Sequence, residues 1–161
     1  MAKGEDRKTV LVLDDEPEYL KWVQEFLQSR GFRVEFQTRL SDALRAMTAR
    51  EYRLFLVDMN VPSQEDVDDL LRKEHPLAIR YPGLALAIEA RNQGYGAHSV
   101  IAYTVHDDER IDAELSKLHA RYVLKGRPEA LKKVISASLA PAPVQRRRVV
   151  PAHRARSGKK K

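Results

Sequence analysis

Four short apolar runs, each stopping at a polar residue, constrain this chain more than any other feature. Thr9-Val-Leu-Val-Leu13 stops at Asp14-Asp15-Glu16-Pro17, and Leu54-Phe-Leu-Val57 stops at Asp58. Ser99-Val-Ile-Ala-Tyr103 runs into Thr104, and Tyr122-Val-Leu124 runs into Lys125. A short run without polar alternation fits a strand covered on both faces. Arg33-Val-Glu-Phe36 does alternate, as an outer strand does.

Helical spacing fills the intervals. From Pro17 to Arg30 the apolar residues Leu20, Val23, Phe26 and Leu27 recur at helical spacing, and Gly31 ends the pattern. Ser41 is expected to cap a helix through Ala49, with Leu44 and Met47 inward. Gly83 to Arg91 reads as the third helix. Asp107 or Asp108 caps a fourth, holding Ile111, Leu115 and Leu118. Pro128 to Leu139 is the last, with Pro in its first turn and Leu131, Val134 and Ile135 on one face. Strand and helix thus alternate five times. That order predicts an α/β fold, a doubly wound five-stranded parallel sheet with helices on both faces. Right-handed crossovers leave 2-1-3-4-5 as the natural strand order, with its switch point between strands 1 and 3.

The length of 161 residues suits one domain, placed at 9–139 behind a polar lead at 1–8. No apolar run approaches ~18 residues, so no transmembrane helix is expected. With no cysteine, a disulfide framework, a thiolate metal site and a cysteine nucleophile are excluded, and a reducing cytoplasm is the expected location. The net charge of +6 is unevenly spread. Residues 141–161 hold eight Lys or Arg and no acid, which leaves 21 basic against 23 acidic residues, a net of −2, in 1–140. The cationic character belongs to a basic tail at 140–161, expected to be disordered and suited to nucleic acid or an anionic surface.

In a parallel sheet the ends of all four polar-terminated runs lie on one edge, where ligands of such sheets bind. Asp14, Asp15 and Asp58 then converge. Three carboxylates held together repel unless a cation joins them, and Mg2+ fits because it takes hard oxygen ligands. Lys125 adds a fixed positive charge and Thr104 a hydroxyl. Metal, ammonium and hydroxyl around one carboxylate suit phosphoryl transfer, with the carboxylate itself as nucleophile.

Leu-Asp14-Asp15-Glu16-Pro17, Val-Asp58-Met-Asn-Val-Pro62, Tyr-Thr104 and Tyr122-Val-Leu-Lys125 resemble, in order and spacing, the landmarks of two-component response regulator receiver domains. The resemblance covers about residues 8–139. It implies a flavodoxin-like receiver fold with Asp58 as phosphoacceptor. It implies Mg2+ held by Asp14, Asp15, Asp58 and the backbone carbonyl of Asn60. Lys125 would contact the phosphoryl group, and Thr104 and Tyr122 would be the switch pair. The donor would be a phosphohistidine on a sensor histidine kinase or phosphotransfer protein. The chain would be a stand-alone receiver in phosphorelay signal transduction, acting through a downstream protein partner, and not an enzyme beyond accepting and losing its own phosphoryl group.

Three features differ from the family pattern. Val105 stands where Ala or Gly is usual, and a branched side chain there is expected to narrow the path to Asp58. Gly126 stands where a proline usually follows the lysine. Between Pro62 and Thr104 lie 41 residues, more than one helix and one strand need, so 63–82 reads as an insertion. It is most simply a surface elaboration, with a helix expected from about Ser63 to Lys73 carrying Val67, Leu70 and Leu71. These differences motivate the alternative of a pseudo-receiver, a phosphorylation-independent binding module. An aspartyl-nucleophile phosphatase ranks lower, because Asn60 occupies the place where a second acid is wanted. The histidines share no metal-ligand spacing; His106, two places after Thr104, is expected near the site mouth.

Overall fold

β1 (Thr9–Leu13) is an interior strand: neither of its faces carries a charge, and all five of its residues are buried. It pairs in parallel with β2 (Arg33–Gln37) on one side and with β3 (Leu54–Asp58) on the other. β3 pairs with β4 (Val100–Thr104), and β4 with β5 (Arg121–Leu124). The sheet is five-stranded, parallel and ordered β2-β1-β3-β4-β5, as the alternation of runs predicts. The outermost strands β2 and β5 are the ones with partly exposed residues.

This computed structural model describes residues 8–62, 69, 73–105 and 107–140. The expected helix at Ser63–Lys73 and its stripe of Val67, Leu70 and Leu71 therefore lie outside the described residues, apart from Asp69 and Lys73. So do His106, the lead before Lys8 and the basic tail beyond Ala140.

Alternation along the strands divides the core in two. Leu11, Leu13, Phe55, Val57, Val100 and Ala102 face one layer, which contains α2 (Leu40–Ala49), α4 (Gly83–Asn92) and α5 (Glu109–Lys117). Val10, Val12, Leu54, Leu56, Ile101 and Tyr103 face the other, formed by α1 (Lys21–Gln28) and α6 (Pro128–Leu139). Each fully buried Val or Leu side chain stabilises the fold by about 1.5–3 kcal/mol relative to exposure.

Three local expectations are corrected. The first helix opens as a 3-10 turn at Pro17–Leu20, because Pro17 has no N–H and the Tyr19 N–H reaches the Glu16 carbonyl at 3.2 Å. Ser41 does not cap α2. The helix begins one residue earlier, with Leu40 fully buried and its N–H donated to the Pro62 carbonyl at 3.3 Å. A 3-10 turn at Ala97–Ser99 precedes β4, so the strand opens at Val100 and not at Ser99.

The segment before α4 holds a short helix, α3 (Leu77–Arg80), which no periodicity revealed. Ala78 is fully buried and Tyr81 is 2% exposed, so residues 77–82 contribute to the core. They explain why α4 is buried at Gly83, Leu84, Ala85, Leu86, Ala87 and Ala90: α2, the sheet and α3 all pack on it. Among the described residues, no helix is long and apolar enough to cross a membrane.

Candidate functional site

Asp14 is the first residue past β1. Its N–H donates to the Gln37 carbonyl at 3.0 Å, and its Oδ1 accepts the Glu16 N–H at 2.8 Å, which fixes a turn at the strand end. The side chain is buried, whereas Asp15 beside it is exposed. Asp58 ends β3, in register with Tyr103, and is 4% exposed. Its Oδ1 accepts the Asn60 N–H at 3.0 Å. Thr104 ends β4 and is buried; its carbonyl accepts the Lys125 N–H at 2.8 Å.

Lys125 follows β5. Gly126 next to it has φ +85°, a backbone conformation that side chains resist, so glycine here permits the turn that a proline would not make in the same way. The ammonium of Lys125 donates to Asp58 Oδ2 at 2.8 Å and to Asp14 Oδ2 at 3.0 Å, and sits 5.0 Å from the centre of the Tyr103 ring. One cation therefore bridges the ends of β1 and β3, on either side of the switch point.

Carboxylate oxygens of Asp14, Asp15 and Asp58 all lie within 4.8 Å of one another. Burial raises the Asp58 pKa above the ordinary carboxylate value, against the opposing hydrogen bonds from Lys125 and Asn60, and the Asp14 charge raises it further. Burial disfavours the charge on Lys125, yet its hydrogen bonds to Asp58 and Asp14 leave its pKa above the ordinary value. The cluster thus holds more negative charge than Lys125 neutralises. Three hard oxygen donors within reach of one point, two of them buried, form a donor set that fits Mg2+.

The structure brings together Asp14, Asp15, Asp58, Thr104 and Lys125 on one edge. Asn60 lies beside them with its N–H turned to Asp58. Tyr122 stands further back on β5, in register with Ala102, packed against the α5-side core. Burial raises its pKa, and Asp107 and Asp112 add to the effect. Val105 is 65% exposed, so most of its side chain stands in solvent.

Two neighbours of the site escaped the sequence reading. Gly83 lies so close to β3 that a Cβ on it would be 2.1 Å from the Asp58 carbonyl oxygen, and its N–H donates to the Met59 carbonyl at 3.0 Å. The Tyr81 hydroxyl donates to Asp108 Oδ2 at 2.6 Å. Asp108, not Asp107, caps α5: its Oδ1 accepts the Arg110 N–H at 2.9 Å. The Tyr81-Pro82-Gly83 step, where an aromatic and a proline precede a glycine, was the one available signal of close packing.

No family model and no curated protein matches the chain. Solved structures do match it. A two-component response regulator from Clostridium difficile is similar with a TM-score of 0.62 at 14% identity, over 83% of this chain and 96% of that one. Response regulator protein TrrA from Thermotoga maritima, in complex with Mg2+-BeF, gives 0.60 at 25% identity, over 82% of this chain and 99% of that one. The BeF3-activated N-terminal receiver domain of RstA from Klebsiella pneumoniae gives 0.57 at 19% identity, over 76% and 90%.

Proposed function

We propose that this chain, whose fold is that of response regulator receiver domains, is a phosphorylation-dependent signalling switch with Asp58 as phosphoacceptor. The observation that carries the reading is the position of Lys125. Its ammonium is hydrogen-bonded to Asp58 and Asp14 at once, which puts a positive charge where an incoming phosphoryl group needs one.

In this reading a carboxylate oxygen of Asp58 attacks the phosphorus of a phosphohistidine on a sensor kinase or phosphotransfer protein. The O–P bond forms as the N–P bond breaks, and the imidazole leaves with the electron pair and takes a proton. Asp14, Asp15, Asp58 and the Asn60 carbonyl would hold Mg2+, which offsets the charge on the transferring group. Lys125 neutralises a phosphoryl oxygen, and the Thr104 hydroxyl donates to another. Thr104 and Tyr122 then carry the change from the site towards α5 and β5, where a downstream protein reads it. The chain turns over no other substrate, and its work is in the cytoplasm, where sensor kinases present their phosphohistidines.

The test is intact mass after incubation with Mg2+ and a small-molecule phosphodonor. The reading requires a gain of one phosphoryl group that Asp58→Asn abolishes. An unchanged mass in the unsubstituted protein favours the same fold used as a phosphorylation-independent binding module.

A further inference from the structure

Two side chains that the proposed phosphoryl chemistry does not use connect the phosphorylation edge to the start of α5. Tyr81 donates its hydroxyl to Asp108 Oδ2 at 2.6 Å, across 27 residues of chain. Asp108 caps α5, and the Arg110 guanidinium holds both of its oxygens, at 3.2 Å and 2.9 Å. Hydrogen bonds from Arg110 and from Tyr81 keep its carboxyl well below the usual carboxylate range, so at neutral pH the Tyr81 bond is to a full negative charge. Such bonds are about twice as strong as neutral ones.

The other end of the connection is equally fixed. Tyr81 is 2% exposed, inside the core that includes Met59 and Leu84. Two residues on, Gly83 is hydrogen-bonded to the Met59 carbonyl and packed on the Asp58 carbonyl with no space for a Cβ. Tyr81-Pro82-Gly83 is therefore a strap, with one end on the backbone of the phosphoacceptor and the other on the cap of α5.

That cap is four residues past Thr104. Both Asp58 oxygens are already hydrogen-bonded, to Asn60 and Lys125. In the receiver reading above, a phosphoryl group on Asp58 brings new acceptor oxygens to the end of β3, and a Thr104 hydroxyl that turns to them shifts the end of β4, four residues before the cap. Tyr81 cannot follow, because Gly83 binds it to β3. An open cleft of about 460 Å³ bordered by Arg80, Tyr81, Asp107 and Arg110 gives the cap room to move away.

We propose that the Tyr81–Asp108 hydrogen bond is a latch that holds the start of α5 in its resting position and opposes the change that phosphorylation of Asp58 drives. The proposal rests on the receiver reading above. A ligand that favours the unlatched arrangement must bind more tightly once the latch is removed, by the free energy of the lost coupling.

The test is a titration of the full chain with beryllofluoride in excess Mg2+, followed by fluorine NMR of the bound complex. Tyr81→Phe removes one oxygen and keeps the ring in the core. The latch requires half-saturation at roughly five- to tenfold lower beryllofluoride in this variant. Asp108→Asn keeps a capping side chain and weakens the bond, so it shifts binding in the same direction by less. Equal or weaker binding by Tyr81→Phe, with both proteins folded and binding, overturns the latch alone. If Tyr81→Phe does not fold, Asp108→Asn decides by the same criterion. If the unsubstituted chain binds no beryllofluoride, the receiver reading fails and the latch fails with it.

Discussion

Lys125 donates to Asp58 at 2.8 Å across 67 residues of chain. The same ammonium reaches Asp14 at 3.0 Å, so one lysine bridges the two buried carboxylates of the site. Everything proposed for phosphoryl transfer depends on this charge being where the geometry puts it.

Lys125→Met removes the cation and leaves its stem. Asp14 and Asp58 are then buried without a counter-charge, and the fold should lose about 1–3 kcal/mol at neutral pH, less than for a fully buried pair because Lys125 is partly exposed. Urea denaturation measures the loss. Added Mg2+ should restore part of it, since the metal takes over the neutralisation.

Stability should depend on pH through Asp58. Its folded pKa is raised by burial above 3.8, so it favours the folded state while protonated and this contribution disappears as pH rises through the raised value. At neutral pH without divalent cations, Asp58→Asn should therefore unfold at a higher temperature than the unsubstituted chain. The gap should close as pH falls through the raised pKa towards 3.8. Thermal melts at a series of pH values decide it; a gap that widens in acid contradicts the sign.

The sheet and most of the site were legible because they rest on short-range patterns. Thr9–Leu13 is apolar on both faces because it is an interior strand, and Asp14, Asp58, Thr104 and Lys125 stand out because each follows such a run. Pro128–Leu139 was bounded by its own proline and its apolar stripe. What escaped depends on tertiary context. Leu77–Arg80 is a single helical turn between Pro76 and Pro82, too short to show a period. The Tyr81–Asp108 bond joins residues 27 apart, and neither side chain signals its partner. Ser41 looked like a cap, but burial of Leu40 and the Pro62 carbonyl determined where α2 begins.

Gly83→Ala tests the close approach to β3. The added Cβ would meet the Asp58 carbonyl oxygen at 2.1 Å and the Met59 Cα at 2.8 Å, both backbone atoms that cannot rotate away. The expected cost is about 2–3 kcal/mol of stability in urea. Phosphoryl acceptance should slow as well, because Asp58 moves with its backbone. A variant as stable as the parent would show that α4 can retreat.

Mg2+ should raise the thermal midpoint by binding the folded chain alone. Asp15 is exposed, so Asp15→Ala should change stability in the absence of metal by no more than about 0.5 kcal/mol. It should nevertheless remove most of the Mg2+-dependent rise, because it deletes one of the three clustered carboxylates. A full rise in Asp15→Ala places the ion elsewhere.

The most direct test of the central claim is chemical identification of the phosphorylated residue. An aspartyl phosphate is a mixed anhydride, which borohydride reduces to homoserine. After incubation with Mg2+ and a small-molecule phosphodonor, reduction and peptide mass spectrometry should find homoserine at position 58 and unmodified aspartate at 14 and 15. Homoserine at Asp14 or Asp15, or at no position, contradicts the assignment of Asp58 as phosphoacceptor.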